Sequence, residues 1–247
     1  MEALLIAELP TGPEWHYEPK WDGFRCVIFR DGDTIDLMSK AGKPLARYFP
    51  DLVETIRSIK PHLSPSTTSM TTVKQWFRSV GGGLDGVIAK RLDLPYQTGT
   101  RHGMRKMKAM RTADCVVGGF RYASKGKVIG SLLLGLYGDG GLLHHVGFTS
   151  NIPTAEKPAV TERLEALIEE PGFTGRAPGG PSRWSTERTS KWQPLTTSLV
   201  VEVRYDHFSG GRFRHGTSFL RWRPDKSPRQ CTIAQVEQEG RSALTLL

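Results

Sequence analysis

The chain has 247 residues, 38% of them hydrophobic and 24% charged, which excludes a disordered polymer and fits a soluble globular protein of two ordinary domains. Its 34 Lys and Arg against 25 Asp and Glu leave a formal charge of +9, which favours a polyanionic partner, nucleic acid first. Cys26, Cys115 and Cys231 lie far apart with no Cys-x-x-Cys pair, so neither a zinc site nor a disulfide framework is expected. Met1 to Pro10 has no positive leader and no small-residue cleavage site, and no stretch is long enough for a membrane span. The expected setting is a reducing cytoplasm, with no membrane partner and a monomeric chain.

Taken in chain order, Tyr17 to Ser39 reads as a β-meander. Phe24 to Phe29 is a strand, Asp31-Gly32-Asp33 a turn, and Thr34 to Met38 the return. Leu52, Val53, Ile56 and Ile59 have helical spacing after Pro50. A Ser/Thr/Pro-rich loop, Pro61 to Ser69, precedes a helix over Thr71–Phe77 that Gly81-Gly82-Gly83 ends. Leu84 to Lys90 is a strand leading into the polar stretch Arg91 to Gly103. A new pattern begins near Met110–Arg111, giving domains 1–110 and 111–247. Strands are expected over Asp114–Tyr122, Gly130–Tyr137 and Leu142–Thr149. A helix over Thr154–Glu170 places Val160, Leu164, Leu167 and Ile168 on one side. After the Gly/Pro/Ser-rich connector Pro171 to Ser185, Leu199–Phe208 and Arg212–Trp222 form a hairpin around Ser209-Gly210-Gly211. Five strands with one intervening helix suggest a small closed barrel of OB type. There are no repeats or heptads.

Three segments carry chemistry. In Glu18-Pro19-Lys20-Trp21-Asp22-Gly23-Phe24-Arg25, a strand puts Glu18, Lys20 and Asp22 on one face. A lysine amine becomes nucleophilic only when burial or a neighbouring cation favours its free base. Arg25 offers a planar fork to a phosphate or ribose. The plain alternative is a surface hairpin with alternating charges. Leu84 to Lys90 has a carboxylate, Asp85, at the entrance of an apolar strand. An acidic group there suits Mg²⁺ against a nucleotide phosphate, the alternative being an Asp-Gly hairpin turn. In Arg105-Lys106-Met107-Lys108, a strand points both lysines to one face, where they would stabilise phosphoryl-transfer charge. The alternative is an exposed basic edge strand.

In that order, the three segments resemble the covalent nucleotidyltransferase superfamily, and within it the bacterial ATP-dependent DNA ligases of the ligase C branch. Glu18 to Arg25 matches motif I, Ser39 to Gly42 motif Ia, Asp85 to Lys90 motif IV, and Lys106 to Lys108 motif V. Arg111 to Val117 looks like the family's entry into its OB domain, and Arg214-His215, Phe219 and Arg221 to Lys226 look like motif VI. The resemblance covers Tyr17 to Thr232. It implies an α+β chain: an abridged adenylyltransferase (ATP-grasp-like ligase) domain followed by an OB-fold β-barrel. It implies nick sealing in double-stranded DNA, in DNA repair and recombination, with ATP and Mg²⁺. Lys20 would form lysyl-AMP and Asp85 would assist the metal. Glu18, Arg25, Lys40, Lys106 and Lys108 would bind the nucleotide. Arg223, Asp225 and Lys226 would orient the leaving pyrophosphate when the OB domain closes. Two departures stand out. No Asp-Gly-Glu motif III segment and no adenine-stacking aromatic occur between Lys43 and Leu84, and the helical context of Trp76 and Phe77 favours core packing. Lys40 stands where an arginine is usual, and Asp85 where many ligases have Glu. The other readings are an adenylation-defective, ligase-like nucleic-acid binder, and an RNA ligase or capping guanylyltransferase.

Overall fold

A computed structural model describes residues 2–20, 26–39, 41–58, 66–80, 84–95, 97, 99–124, 126–179 and 191–237. The chain divides into two units between Lys108 and Ala109.

In the first unit the elements are β1 (Leu4–Leu5), β2 (Trp15–Pro19), β3 (Cys26–Asp31), β4 (Thr34–Ser39), α1 (Pro50–Ser58), α2 (Met70–Val80), β5 (Gly86–Arg91) and β6 (Met104–Lys108). One sheet runs β1-β6-β5-β2, with β1 parallel to β6 and the other pairs antiparallel. Along β2, Trp15, Tyr17 and Pro19 are buried and alternate with half-buried His16 and Glu18. That period of two lets one face meet a core while the other stays open. The core beneath joins Trp15, Tyr17, Val87 and Ala89 to Val73 and Trp76 of α2 and to Leu84. The Tyr17 hydroxyl keeps its hydrogen bond while buried, donating to Pro10 O at 2.7 Å.

A meander from Tyr17 to Ser39 does not form: β2 pairs with β5, whereas β3 and β4 make a separate two-stranded hairpin. The physical difference is in the apolar pattern. β2 alternates and fits a one-sided core, whereas Val27-Ile28-Phe29 is apolar on both faces. The hairpin turns at Gly32, whose φ of +56° suits glycine. It packs Ile35 and Leu37 on Ile56 of α1. Val27, Ile28 and Phe29 remain 42%, 47% and 58% exposed. Two strands make a marginal sheet, and an apolar strand bare on both faces is normally covered.

The second unit continues with β7 (Arg111–Tyr122), β8 (Ile129–Tyr137), β9 (Leu143–Thr149), α3 (Lys157–Glu165), β10 (Gln193–Pro194), β11 (Val200–Tyr205), β12 (Phe208–Ser209), β13 (Arg212–Phe213), β14 (Ser218–Trp222) and α4 (Ala234–Glu237). The main sheet runs β14-β11-β7-β8-β9, with β10 beside β7. A parallel bridge between Thr149 and Thr217 joins its two ends. Thr149 Oγ1 donates to Thr217 O and Thr217 Oγ1 to Phe148 O, each at 3.1 Å. The sheet thus closes into the expected five-stranded OB barrel, with α3 between its third and fourth strands. Leu132, Leu133, Leu134, Val201 and Val203 are among its fully enclosed side chains. Gly118 and Gly119 admit Phe173 and Trp192, whose rings would lie 2.6 Å from an added Cβ at either position.

Two details differ from the sequence reading. The helix expected to reach Glu170 ends at Glu165, because the chain then turns and Ile168 bridges to Leu195. The last two barrel strands do pair, but the small β12–β13 hairpin is inserted between them. Cys115 and Cys231 are buried, and burial raises both thiols, Cys231 to about 11. They serve as core residues.

Trp76 is only 6% exposed, so Trp76→Ala should destabilise the first unit by about 3–5 kcal/mol in urea unfolding. Phe29→Lys, at an exposed position, should change stability by about 0.5 kcal/mol or less. A Trp76→Ala variant as stable as the parent chain would return that ring to the pool of possible adenine platforms.

Candidate nucleotide-transfer site

The core fixes the face opposite to it. Across the first sheet, Glu18 is paired with Ile88 and Ile88 with Lys106. Directly paired residues project on the same side. The next row begins at Lys20, whose N–H donates to Gly86 O at 2.9 Å, and Gly86 is paired with Lys108. Tyr17, Val87 and Ala89 point the other way, into the core. Glu18, Lys20, Lys90, Lys106 and Lys108 are therefore gathered on one open face.

Gly86 is essential to that row. Its φ is +148°, and an added Cβ would lie 1.9 Å from the Met107 carbonyl oxygen. No side chain stands between Lys20 and Lys108, so the sheet floor there is bare backbone.

Lys20 Nζ donates to Asp85 Oδ2 at 3.0 Å, and the two side chains are 22% and 11% exposed. The residues are 65 apart in sequence and meet because β2 and β5 are neighbours. Lys90 Nζ lies 2.6 Å from the Glu18 carboxylate. Each carboxylate on this face thus holds a lysine. Among the described residues no group of three or more His, Cys, Asp or Glu gathers to enclose a metal ion. A magnesium ion here would take Asp85 and complete its shell with water and phosphate oxygens, as Mg²⁺ commonly does. Arg25 and Lys40 lie outside the described residues.

Each plain alternative can be set against this geometry. β6 lies between β1 and β5 and is not an edge strand. Gly86 is already inside a paired strand, so Asp85-Gly86 is not the loop of a two-residue hairpin. β2 has one buried face and is not a free surface hairpin.

In the second unit, Arg223, Asp225 and Lys226 come together around a residue not singled out from sequence. Asp114 of β7 is 9% exposed. Its Oδ1 accepts from Arg223 Nη1 at 2.8 Å and its Oδ2 from Lys226 Nζ at 2.7 Å. Arg223 also donates to Asp225, from Nη2 at 2.8 Å and from Nε at 3.0 Å. Gln235 clamps the Asp114 backbone, donating from Nε2 to its O at 2.9 Å and accepting its N–H at 3.0 Å. The signal available in sequence was a carboxylate inside the apolar run Ala113-Asp114-Cys115-Val116-Val117. A charge at such a place needs a partner.

The Arg223 hydrogen bond holds the Asp225 carboxyl down at about 2, and Asp225 and Asp114 raise Arg223. The Asp225 value is depressed on folding. Its contribution to stability is complete above the ordinary carboxylate range and is lost as pH falls through about 2. Asp114→Ala leaves two half-buried cations without their shared carboxylate. It should cost about 3 kcal/mol in chemical unfolding, against the small effect of an exposed pair. Wild-type stability in Asp114→Ala would mean that solvent already screens this cluster.

The comparisons with known proteins fit this geometry. The family described as "ATP dependent DNA ligase domain" matches residues 6–64, and "ATP dependent DNA ligase C terminal region" matches residues 125–226. DNA ligase C2 of Mycolicibacterium smegmatis is 34% identical, covering 98% of this chain and 95% of the relative. DNA ligase C of Mycobacterium tuberculosis is also 34% identical, covering 96% of this chain and 93% of the relative. The chain belongs to the ATP-dependent DNA ligases. Among solved structures, Pmar-Lig_Pre shares the fold at a TM-score of 0.50 and 11% identity, covering 90% of this chain and 67% of that one.

The chain is nonetheless short for the family. The alignment to DNA ligase C2 runs over 340 residues, whereas 98% of 247 is about 242. About 100 residues of the relative therefore face no residue of this chain. The first family match stops at residue 64, between α1 and α2, in the region where the Asp-Gly-Glu segment is missing.

Proposed function

We propose that this chain acts on nicked double-stranded DNA through a lysyl-AMP intermediate at Lys20. The observation that carries the reading is the Lys20 row: an amine 3.0 Å from Asp85, facing Lys108 across a bare glycine. The amine attacks the α-phosphorus of ATP as its free base. A nitrogen–phosphorus bond forms and the bond to pyrophosphate breaks. AMP passes to the 5′-phosphate of the nick, and the 3′-hydroxyl displaces it. Lys106 and Lys108 hold the α-phosphate, Glu18 helps define the adenine and lysine environment, Arg25 touches the ribose or phosphate, and Lys40 also binds the nucleotide. Positioning and charge neutralisation account for most of such a reaction's acceleration. A Mg²⁺ ion, when bound, would neutralise phosphate charge. Asp85 would hold it, and in doing so would release Lys20 from its ion pair. Arg223 and Lys226 would orient pyrophosphate by exchanging Asp114 and Asp225 for phosphate oxygens.

Incubation with α-labelled ATP and Mg²⁺ tests this directly. Lys20→Ala should abolish the labelled phosphoramidate adduct, which survives base and is cleaved by acid, while leaving the fold intact. An adduct on another lysine would contradict the assignment. Asp85→Asn keeps the shape and removes the charge, so it should weaken the Mg²⁺ dependence of adduct formation. An unchanged Mg²⁺ titration would leave Asp85 as the ion-pair partner of Lys20 alone.

The second reading, an adenylation-defective nucleic-acid binder, draws on the missing block. Adenine needs an apolar slot and a stacking ring, and Trp76 is committed to the core. DNA binding draws on cations that the chain retains. The expected result is salt-sensitive binding of nicked duplex with weak adenylation, recovered when a motif III segment is restored between Lys60 and Leu63. Robust adenylation by the chain as it stands would show that other residues complete the pocket.

A further inference from the structure

The short stretch between β4 and α1 presents aromatic rings to solvent on a rigid support. Leu45, Ala46 and Val53 pack on the small core of Ile35, Leu37 and Ile56. Above that core the chain makes a single 3₁₀ turn, Ala46–Tyr48, and passes at Phe49 directly into α1. The backbone is held throughout. Tyr48 N–H donates to Leu45 O at 2.9 Å, Phe49 N–H to Ala46 O at 3.2 Å, and Val53 N–H to Phe49 O at 3.2 Å. Yet Arg47, Tyr48, Phe49 and Pro50 are all exposed. Tyr48, at 60%, is the most exposed large hydrophobic side chain among the described residues, and Leu52, one helical turn on, is exposed too.

The Tyr48 ring is ordered in spite of its exposure. The Arg47 guanidinium carbon lies over it, 4.5 Å from the ring centroid, and Arg47 Nη2 donates to the Tyr48 hydroxyl. An exposed side chain ordinarily samples several rotamers, and fixing it on binding costs affinity. Here a cation–π contact and a hydrogen bond fix the ring in advance. One face is under the guanidinium, so the exposed area falls on the other face and the edge. A planar group stacked there would complete a guanidinium–ring–ligand sandwich.

Charge decides what kind of planar group that is. The cations of this stretch are Lys43 and Arg47, both exposed. The carboxylates that follow are Asp51 and Glu54 of α1. Asp51 is in the first turn, where the helix dipole offsets its charge, and Glu54 is engaged by Arg57. A planar π-face joined to negative charge describes a nucleotide. Base–aromatic stacking tolerates any sequence, but it needs a base whose face is not already occupied within a duplex.

We propose that Arg47 and Tyr48, with Phe49 alongside, form a stacking platform for an unpaired base of a DNA strand, with Arg47 and Lys43 supplying charge for its phosphates. The ligand class rests on the DNA reading above, and the platform adds to it a preference for DNA that carries unpaired bases.

Two measurements on the full chain test it. The first compares, by fluorescence anisotropy, a nicked duplex with the same duplex extended by a single-stranded overhang. Tyr48→Ala should weaken binding of the overhang form by about 5- to 100-fold and leave the fully paired form within about 2-fold. Tyr48→Phe keeps the ring and should keep most of the affinity. Leu142→Ala, at an exposed apolar position of the barrel unit, should change neither. The second places 2-aminopurine in the overhang. Its fluorescence should be quenched on binding, and Tyr48→Ala should abolish the quenching.

Equal losses on both duplexes, or quenching that survives Tyr48→Ala, would overturn the platform while leaving the DNA reading standing. ATP that displaces the overhang from the parent chain but binds Tyr48→Ala poorly would overturn the DNA strand in favour of a free nucleotide. Self-association lost in Tyr48→Ala, with overhang binding unchanged, would assign the patch to a second copy of the chain instead. Overhang binding that depends on Tyr48 in a chain that forms no lysyl-AMP would establish the platform and overturn the adenylation chemistry. No binding of either duplex would overturn both.

Discussion

The arrangement of this chain depends on the register of β2 against β5 and β6. A strand's side chains alternate, so a slip of one residue would send every core residue to solvent and every lysine into the core. Trp15 and Tyr17 must reach Val73 and Trp76 of α2, and Val87 and Ala89 must join them. That demand fixes the pairing Glu18–Ile88–Lys106. The chemistry of the opposite face follows from the packing of this one. Lys20, Asp85 and Lys108 are far apart in sequence, yet none of them has to find the others independently.

Ion pairing then decides what the face is in its resting condition. Lys20 is held by Asp85 and Lys90 by Glu18, so both carboxylates are engaged. In the barrel unit, Asp114 engages Arg223 and Lys226 in the same way. On the proposed function, a polyphosphate at either place would exchange one set of anionic oxygens for another, which would limit the desolvation cost of binding.

Much of the fold was legible because its elements obey simple periods. The barrel strands are long apolar runs separated by glycine turns, and their order and single helix were enough to suggest an OB barrel. The Lys20, Asp85 and Lys106–Lys108 segments were legible because each is contiguous. Their meeting was not, since cross-strand register is a property of tertiary packing. The Asp114 cluster is not legible in sequence, because a lone carboxylate in an apolar strand shows its need for a partner but not the partner's identity. The expected meander does not form because strands adjacent in sequence need not pair: β2 pairs with β5 and β3 with β4. Val27-Ile28-Phe29 carries no alternation to say which face is inward, and all three side chains remain exposed. The helix end at Glu165 is hidden in the sequence because Leu167 and Ile168 keep helical spacing while serving a turn and a bridge.

The most direct test of this account is the cross-strand NOE pattern of the first sheet in isotope-labelled protein. The account predicts backbone contacts linking Glu18 to Ile88 and Ile88 to Lys106, with the Lys20 amide close to Gly86. A pattern displaced by one residue, pairing Glu18 with Val87 or Ala89, would contradict it, because Lys20 and Lys108 would then no longer share the open face.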